Sequence, residues 1–416
     1  LSRKVNNLNS AKVFLPEQIA FIVDISRRFH QFKAAQIAFH YNLEAPKRGW
    51  EIISERTVFR ICSRYDNETA GSRYGKSQHR KQNEIFISRE RPSHVNYLWV
   101  GDGWTTEIYF QETVTDEKGN NKTTFQNRLM VYLVVDAYND TIVGYAIGRT
   151  ETNELAKRAW ANASISQGVL PQQVKTDNYG WKEMTPFYEQ IARKPEFYTP
   201  SAIGNAQDKV NEQVNAKLRS QIFRYLPSFS GANVTSKEKE HRDTLQKRKH
   251  SFPSEAEAIM YVDMCIKQWN NTNYKGKQKG RLSEWLNADH SQDRKLTHWD
   301  RLAKFGKQHP RTIELTGIGL QININGVKRI YVSDFSNEKQ TDKFVDTIGT
   351  SYHVTYDPND FSFILVKSKD GKHEFLLQEK RVIPMALMDM KEGDRIALNQ
   401  HLNTNKRTEK RRIEFH

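Results

Sequence analysis

Between Tyr97 and Asn178 the chain runs through three apolar, β-branched segments, a helical pattern and one more short apolar segment, and that order constrains its fold more than any other feature. YLWVGDGWTTEIYFQ, RLMVYLVVDAYN and DTIVGYAIGRT read as three successive strands, the last two joined by a turn at Asn139 and Asp140. NELAKRAWANASISQG carries the Leu155, Ala159, Ala163 repeat of a packed helix, and QQVKTDN is a short strand after the break at Pro171. A polar stretch of helical character follows, AIGNAQDKVNEQVNAKL.

Three carboxylates stand out on these elements. Asp102 lies between Gly101 and Gly103, Asp177 closes the fourth strand before Asn178, and Glu212 sits in the later helix. Carboxylates on two strand ends and a helix can converge, and three of them can hold two hard cations about 3.5 to 4 Å apart, the arrangement that clamps both oxygens of an in-line phosphoryl displacement. The duller readings are a strand terminator for Asp177 and a solvated helix position for Glu212, with Asp208 and Glu189 as alternatives; Asp136 reads as a turn residue. Three strands, a helix, a strand ending in Asp and a later helix bearing Glu is the RNase H-like arrangement. In that fold the first and fourth strands are neighbours.

The contexts GDG and TDN, the segment Gln207-x-Lys209-x-x-Glu212 and the 35 positions from Asp177 to Glu212 resemble the catalytic core of DDE transposases of the phage Mu type. YDPNDFSFILVKSKDGKHEFL, from Tyr356 to Leu376, is similar to that family's C-terminal β domain. Two departures exist: Gln213 follows Glu212 where the family pattern has Arg, and the 35-residue interval is nearer that of integrases and insertion-sequence transposases. The resemblance implies a DNA transposase in which Asp102, Asp177 and Glu212 are catalytic and bind two Mg²⁺ or Mn²⁺ ions. It also implies transposon-end and target DNA as substrates, a homo-multimer on DNA, and an ATPase partner that delivers target DNA. The competing readings are a non-catalytic, transposase-derived DNA-binding regulator, an RNase H-fold nuclease and a retroviral-type integrase.

Residues 1–66 read as a helix-turn-helix-like DNA-binding domain. Its third helix, ISERTVFRICSRY, has Ser54 as N-cap, Val58, Ile61 and Cys62 toward a core, and Arg56, Arg60 and Arg64 four apart on the other face, which suits a major groove. Small three-helix domains that bind no DNA share the pattern. Residues 67–96 are a basic linker carrying Arg73, Lys76, Arg80, Lys81, Arg89 and Arg91, expected along DNA, and 97–295 are the catalytic core. Within the core, Asn178, Lys209 and Arg219 are candidate DNA contacts; Lys209 and Arg219 flank Glu212 on one helical face, where simple surface ion pairing is the plainer reading. Tyr179 and Trp181 are candidates for stacking on a base or for filling core. The run KEKEHRDTLQKRK is expected to be mobile without DNA, and SEAEAIMYVDMCIKQWNN to be an amphipathic helix from a Ser254 cap. Residues 296–389 alternate with Asn-Gly and Asp-Gly turns, which predicts a small β-barrel, and the basic tail 390–416 is expected to order only on a partner.

Composition agrees. A formal net charge of +15 and a pI near 9.5 call for a polyanionic partner. Two cysteines, Cys62 and Cys265, are too few for a disulfide framework or for the zinc module of retroviral integrases. The absence of a membrane-length apolar run or a signal-peptide pattern points to cytoplasm, of a bacterial cell or a mobile-element host. The start at Leu1 rather than Met suggests a processed or truncated piece, with end-binding modules upstream.

Overall fold

The computed structural model describes residues 15–28, 30–75, 79, 90–115, 118–126, 128–177, 180–200, 210–230, 242–273 and 276–414. Two compact units divide the chain, residues 1–90 and 91–416.

The first unit is helical: α1 (Pro16–Ser26), α2 (Ala34–Glu44), α3 (Glu55–Arg64) and α4 (Asp66–Tyr74). Pro16 occupies the first turn of α1, where its missing N–H costs nothing, and the Ser54 hydroxyl accepts the Thr57 N–H at 3.4 Å to cap α3. Ile22, Ile37, Tyr41 and Val58 make a dry core. The three expected helices are there. The fourth occupies residues assigned from sequence to the linker, and Arg73, expected on DNA, instead donates to the Phe32 carbonyl at 2.7 Å. The other linker cations Lys76, Arg80, Lys81 and Arg89 lie outside the described residues.

The second unit begins with β1 (Leu98–Thr106), β2 (Phe110–Thr115), β3 (Asn121–Gln126), β4 (Leu129–Asp136) and β5 (Thr141–Gly148). It continues through α5 (Asn153–Gln167), β6 (Val169–Leu170), β7 (Gln173–Thr176), α6 (Trp181–Ile191), β8 (Tyr198–Pro200) and α7 (Val210–Gln221). Five strands form one mixed sheet in the order β5-β4-β1-β7-β8, antiparallel across β5, β4 and β1, parallel from β1 through β7 to β8. β2 and β3 were not anticipated; they form a separate hairpin interrupting what reads as one long strand.

Each face of the sheet has its own helical cover. Trp99, Tyr132, Val134 and Val174 pack against Leu155, Ala159, Trp160 and Ala163 of α5. Gly144 lets α5 approach, since a Cβ there would lie 2.4 Å from the Ala163 Cα. The opposite face, with Trp104, Val131 and Leu133, is covered by Val214 and Leu218 of α7. After α8 (Arg242–Arg248) comes α9 (Glu255–Asn271), which adds Val262, Ile266 and Trp269 to that second layer. α9 starts at the expected Ser254 cap, whose hydroxyl accepts the Glu257 N–H at 3.3 Å.

α10 (Arg281–Leu286), β9 (Arg294–Lys295), which pairs with β6, and α11 (His298–Phe305) lead to β10 (Lys307–Gln308) and a closed six-stranded barrel. The barrel comprises β11 (Ile313–Thr316), β12 (Gly319–Ile324), β13 (Val327–Val332), β14 (Ser351–Asp357), β15 (Asp360–Ser368) and β16 (Glu374–Glu379), closed where β14 pairs with β15. The Asn-Gly turn between β12 and β13 puts Asn325 and Gly326 at φ 53° and 81°, the left-handed pair a two-residue hairpin of this kind requires. Between β13 and β14 lies α12 (Glu338–Asp346). The tail, expected to order only on a partner, is instead the helix α13 (Asp394–Glu414). Arg407 reaches Glu338 at 2.8 Å and Asp342 at 3.0 Å, and Arg411 reaches Asp346 at 2.9 Å, so the acidic stripe of α12 supplies countercharge to these two arginines of the tail.

Candidate active site

β1 and β7 pair in parallel with Leu98 opposite Gln173, Trp99 opposite Val174 and Val100 opposite Lys175. Each pair is 75 positions apart, as are Asp102 and Asp177, so the same register carried two residues further brings the two carboxylates level on neighbouring strands. Side chains alternate along a strand. Trp99 faces α5, so Asp102 faces the α7 side together with Trp104, and Asp177 shares that side with Lys175. Glu212 stands in the first turn of α7, whose Val214 and Leu218 pack on the same face of β1 and β4.

The glycines flanking Asp102 have unequal roles. A Cβ on Gly101 would stand 2.7 Å from Trp160 Cζ2 and 2.9 Å from the Tyr132 hydroxyl, so the backbone of β1 is pressed onto two buried rings. A Cβ on Gly103 would meet only the carboxylate end of Glu151. Behind Asp177, the Tyr132 and Tyr188 hydroxyls lie 3.2 Å apart and Tyr198 meets the Thr176 hydroxyl at 3.1 Å. Burial raises the pKa of all three phenols, and the Asp177 charge adds to the rise, so they remain neutral hydrogen-bonding groups across the range in which carboxylates titrate.

Asp136, the rival carboxylate, is fully buried at the end of β4, where it pairs with Trp99, three positions along β1 from Asp102. It accepts the Asn96 and Tyr138 N–H groups at 2.7 and 2.9 Å and the Trp285 indole N–H at 2.8 Å. Burial nevertheless raises its pKa to about 6, the three donors opposing the rise. It organises a turn, as its sequence position indicates.

Of the remaining candidates, Arg219 forks onto Glu107 at 3.0 and 3.2 Å, tying α7 to the segment after β1. Arg56, Arg60 and Arg64 are exposed on α3 opposite buried Val58. Asn178, Tyr179, Gln207, Asp208 and Lys209, and the side chain of Trp181, lie outside the described residues. Lys175, 8% exposed on the carboxylate face, and Glu151 beside Gly103 were not picked out from sequence. The two-residue alternation of QVKTD would have placed Lys175; nothing local marks Glu151.

An all-carboxylate set offers the hard oxygen donors that Mg²⁺ or Mn²⁺ takes. Asp102 on β1 and Asp177, one residue past the end of β7, are donors of that kind. Among the described residues no group of three or more His, Cys, Asp or Glu side chains is close enough together to hold a metal ion, so Asp102, Asp177 and Glu212 do not stand together as a ligating triplet. Also among these residues, no helix is long and apolar enough to cross a membrane. Searches of protein-family models and of curated proteins returned no match to the chain.

Proposed function

We propose that the protein is a DDE-type DNA transposase with an RNase H-like core, cutting at the 3′ ends of a mobile element and joining them to target DNA. The observation that carries this reading is the parallel pairing of β1 with β7 at a common 75-residue offset, the offset that also separates Asp102 from Asp177, in a sheet whose one face is covered by the helix of Glu212. The order of strands and helices, the GDG and TDN contexts and the barrel downstream support the same reading.

In this reading Asp102 and Asp177 are fixed oxygen donors and Glu212 completes the set as the first turn of α7 adjusts. Asp102, Asp177 and Glu212 would hold divalent cations, which would supply charge neutralisation to the phosphoryl displacement when bound. In cutting, a water oxygen bonds to phosphorus as the P–O3′ bond breaks; in joining, the freed 3′-hydroxyl oxygen bonds to a target phosphorus and the target's 3′ oxygen leaves. Each step makes one P–O bond and breaks one, with no enzyme-linked intermediate. Arg56, Arg60 and Arg64 would lie on DNA, together with Asn178 and Lys209, while Arg219 holds α7 through Glu107. A multimer on DNA, an ATPase partner and a cytoplasmic site of action follow from the resemblance.

Strand transfer of a pre-cleaved end oligonucleotide into supercoiled plasmid with Mg²⁺ or Mn²⁺ tests this, with Mn²⁺ binding followed by electron paramagnetic resonance. Joining and Mn²⁺ binding by the wild type, with joining lost in Glu212→Gln, support the transposase. DNA binding indifferent to metal and to Glu212→Gln, without cutting or joining, supports the regulator instead.

A further inference from the structure

A groove of about 430 Å³ lies at the far end of α7 from Glu212, between the turn after α7, the end of α8 and the start of α9. Its lining includes Ser228, Arg248, Ser251, Pro253, Tyr261 and one carboxylate, Glu257. Ser228 is the informative residue. It is only 4% exposed, and among the described residues its hydroxyl has no hydrogen-bond partner. Leaving a buried hydroxyl unpaired costs about 1 to 3 kcal/mol, so in a native site such a group awaits a ligand or a water.

Position and charge say which ligand. The Ser228 backbone is fixed by the Tyr109 N–H, which donates to its carbonyl at 2.7 Å, and the residue lines the groove. Arg248 lines the groove and closes α8, and Ser251 donates to the Arg248 carbonyl at 2.7 Å, fixing the turn that carries both. The 17-residue helix α9 starts here and contributes the partial positive charge of its N-terminus. Two acidic residues stand in its first turn, and both are engaged: Glu255 pairs with Arg149 at 2.6 Å, and Glu257 accepts the Ser254 N–H at 2.7 Å and its hydroxyl at 2.8 Å. Tyr261 and Pro253 give an apolar wall suited to a sugar.

We infer that this groove binds a backbone phosphate of DNA, with Arg248 and the Ser228 hydroxyl as donors. The inference rests on the transposase reading for the identity of the polyanion. α7 rises 1.5 Å per residue, so the groove is roughly 15 Å from Glu212, about four base-pair steps along a duplex. It therefore grips the strand away from the reacting phosphate and sets how the duplex lies across the site.

The test measures duplex-DNA binding by fluorescence anisotropy over a range of salt, in EDTA so that no chemistry intervenes, for the wild type, Arg248→Gln and Ser228→Ala. Hydrogen exchange of residues 226–230 and 248–256 is followed with and without DNA, and thermal shift with inorganic phosphate alone. Arg248→Gln should lower the slope of log K against log salt by about one and weaken binding about tenfold, with Ser228→Ala weaker by a smaller factor. DNA should protect both segments in the wild type and not in Arg248→Gln. An unchanged slope and unchanged protection in a protein that still performs strand transfer overturn the groove and leave the transposase standing. Slope and protection effects in a protein that joins nothing uphold the groove and overturn the transposase. Arg248-dependent stabilisation by inorganic phosphate without any effect on DNA binding overturns the assignment to DNA and makes this a site for a free anion.

Discussion

Gly101→Ala tests whether β1 is held to the α5 layer as tightly as its contacts indicate. The new methyl would sit 2.7 Å from Trp160 Cζ2, 2.9 Å from Trp160 Nε1 and 2.9 Å from the Tyr132 hydroxyl, where ordinary contact is about 3.5 to 4.0 Å. Neither ring can retreat. Trp160 is fully buried, stacked with Trp99 at 6.3 Å and edge-on to Tyr188 at 5.9 Å, and Tyr132 is 1% exposed. Such overpacking costs about 1 to 3 kcal/mol, against about 0.5 to 1 kcal/mol regained because alanine loses less backbone entropy than glycine. The net loss should be about 1 to 2 kcal/mol, and because the strand itself must yield, Asp102 should shift; in the transposase reading strand transfer should fall with it. Gly103→Ala is the internal comparison. Its methyl meets the Glu151 carboxylate, the end of a flexible side chain, so the cost of moving that group is set against the same backbone gain of about 0.5 to 1 kcal/mol and the net change should stay within about 1 kcal/mol. Urea midpoints at constant m-value measure both. A Gly101→Ala protein as stable as the wild type, or a Gly103→Ala protein less stable than Gly101→Ala, would refute the packing argument.

Two further outcomes are expected. Asp136 has a folded pKa near 6, above the unfolded value of about 3.9, so its contribution to stability is full below the unfolded pKa and is lost as pH rises through about 6; two units correspond to about 3 kcal/mol at most. Asp136→Asn removes this titration, so its stability relative to wild type should rise by up to that amount between about pH 4 and pH 7 in denaturant titrations, and a flat difference would sink the assignment. The docking of α13 rests on Arg407 and Arg411 against the acidic stripe of α12, so raising salt toward 1 M, where the Debye length is about 3 Å, should increase amide exchange in α13 several-fold and leave β14 and β15 unchanged.

What could be read from sequence was whatever local chemistry specifies. Alternation and turn residues located β4, β5, the Asn-Gly hairpin of the barrel and the Leu155, Ala159, Ala163 face of α5, because each is encoded within a few residues of itself. What could not be read depends on partners distant in sequence. β2 and β3 are threonine-rich and mostly half-buried or exposed, so neither shows an apolar alternation. The tail looked unanchored because its countercharges, Glu338, Asp342 and Asp346, recur four apart on a helix some 65 positions earlier. α4 was hidden in the same way, its Arg73 answering a carbonyl at Phe32.

The same division explains the candidate site. Asp102 lies on β1 two residues past the last pair of the parallel ladder and Asp177 one residue past the end of β7, while Trp99 and Val174 are buried on the other side of the sheet. Glu212 is held differently, two residues ahead of Val214, the first residue of α7 in the buried core, at the end of the helix where backbone hydrogen bonds are fewest. Three carboxylates repel at close quarters, and a rigid arrangement of all three would carry that cost in every apo molecule. In the transposase reading, cations that offset this repulsion would let Glu212 join the two aspartates as the first turn of α7 adjusts. Hydrogen exchange across residues 210–216, slowed by Mn²⁺ in the wild type and not in Asp102→Asn, would show that coupling; exchange indifferent to Mn²⁺ in a metal-binding wild type would show that Glu212 joins without the helix moving.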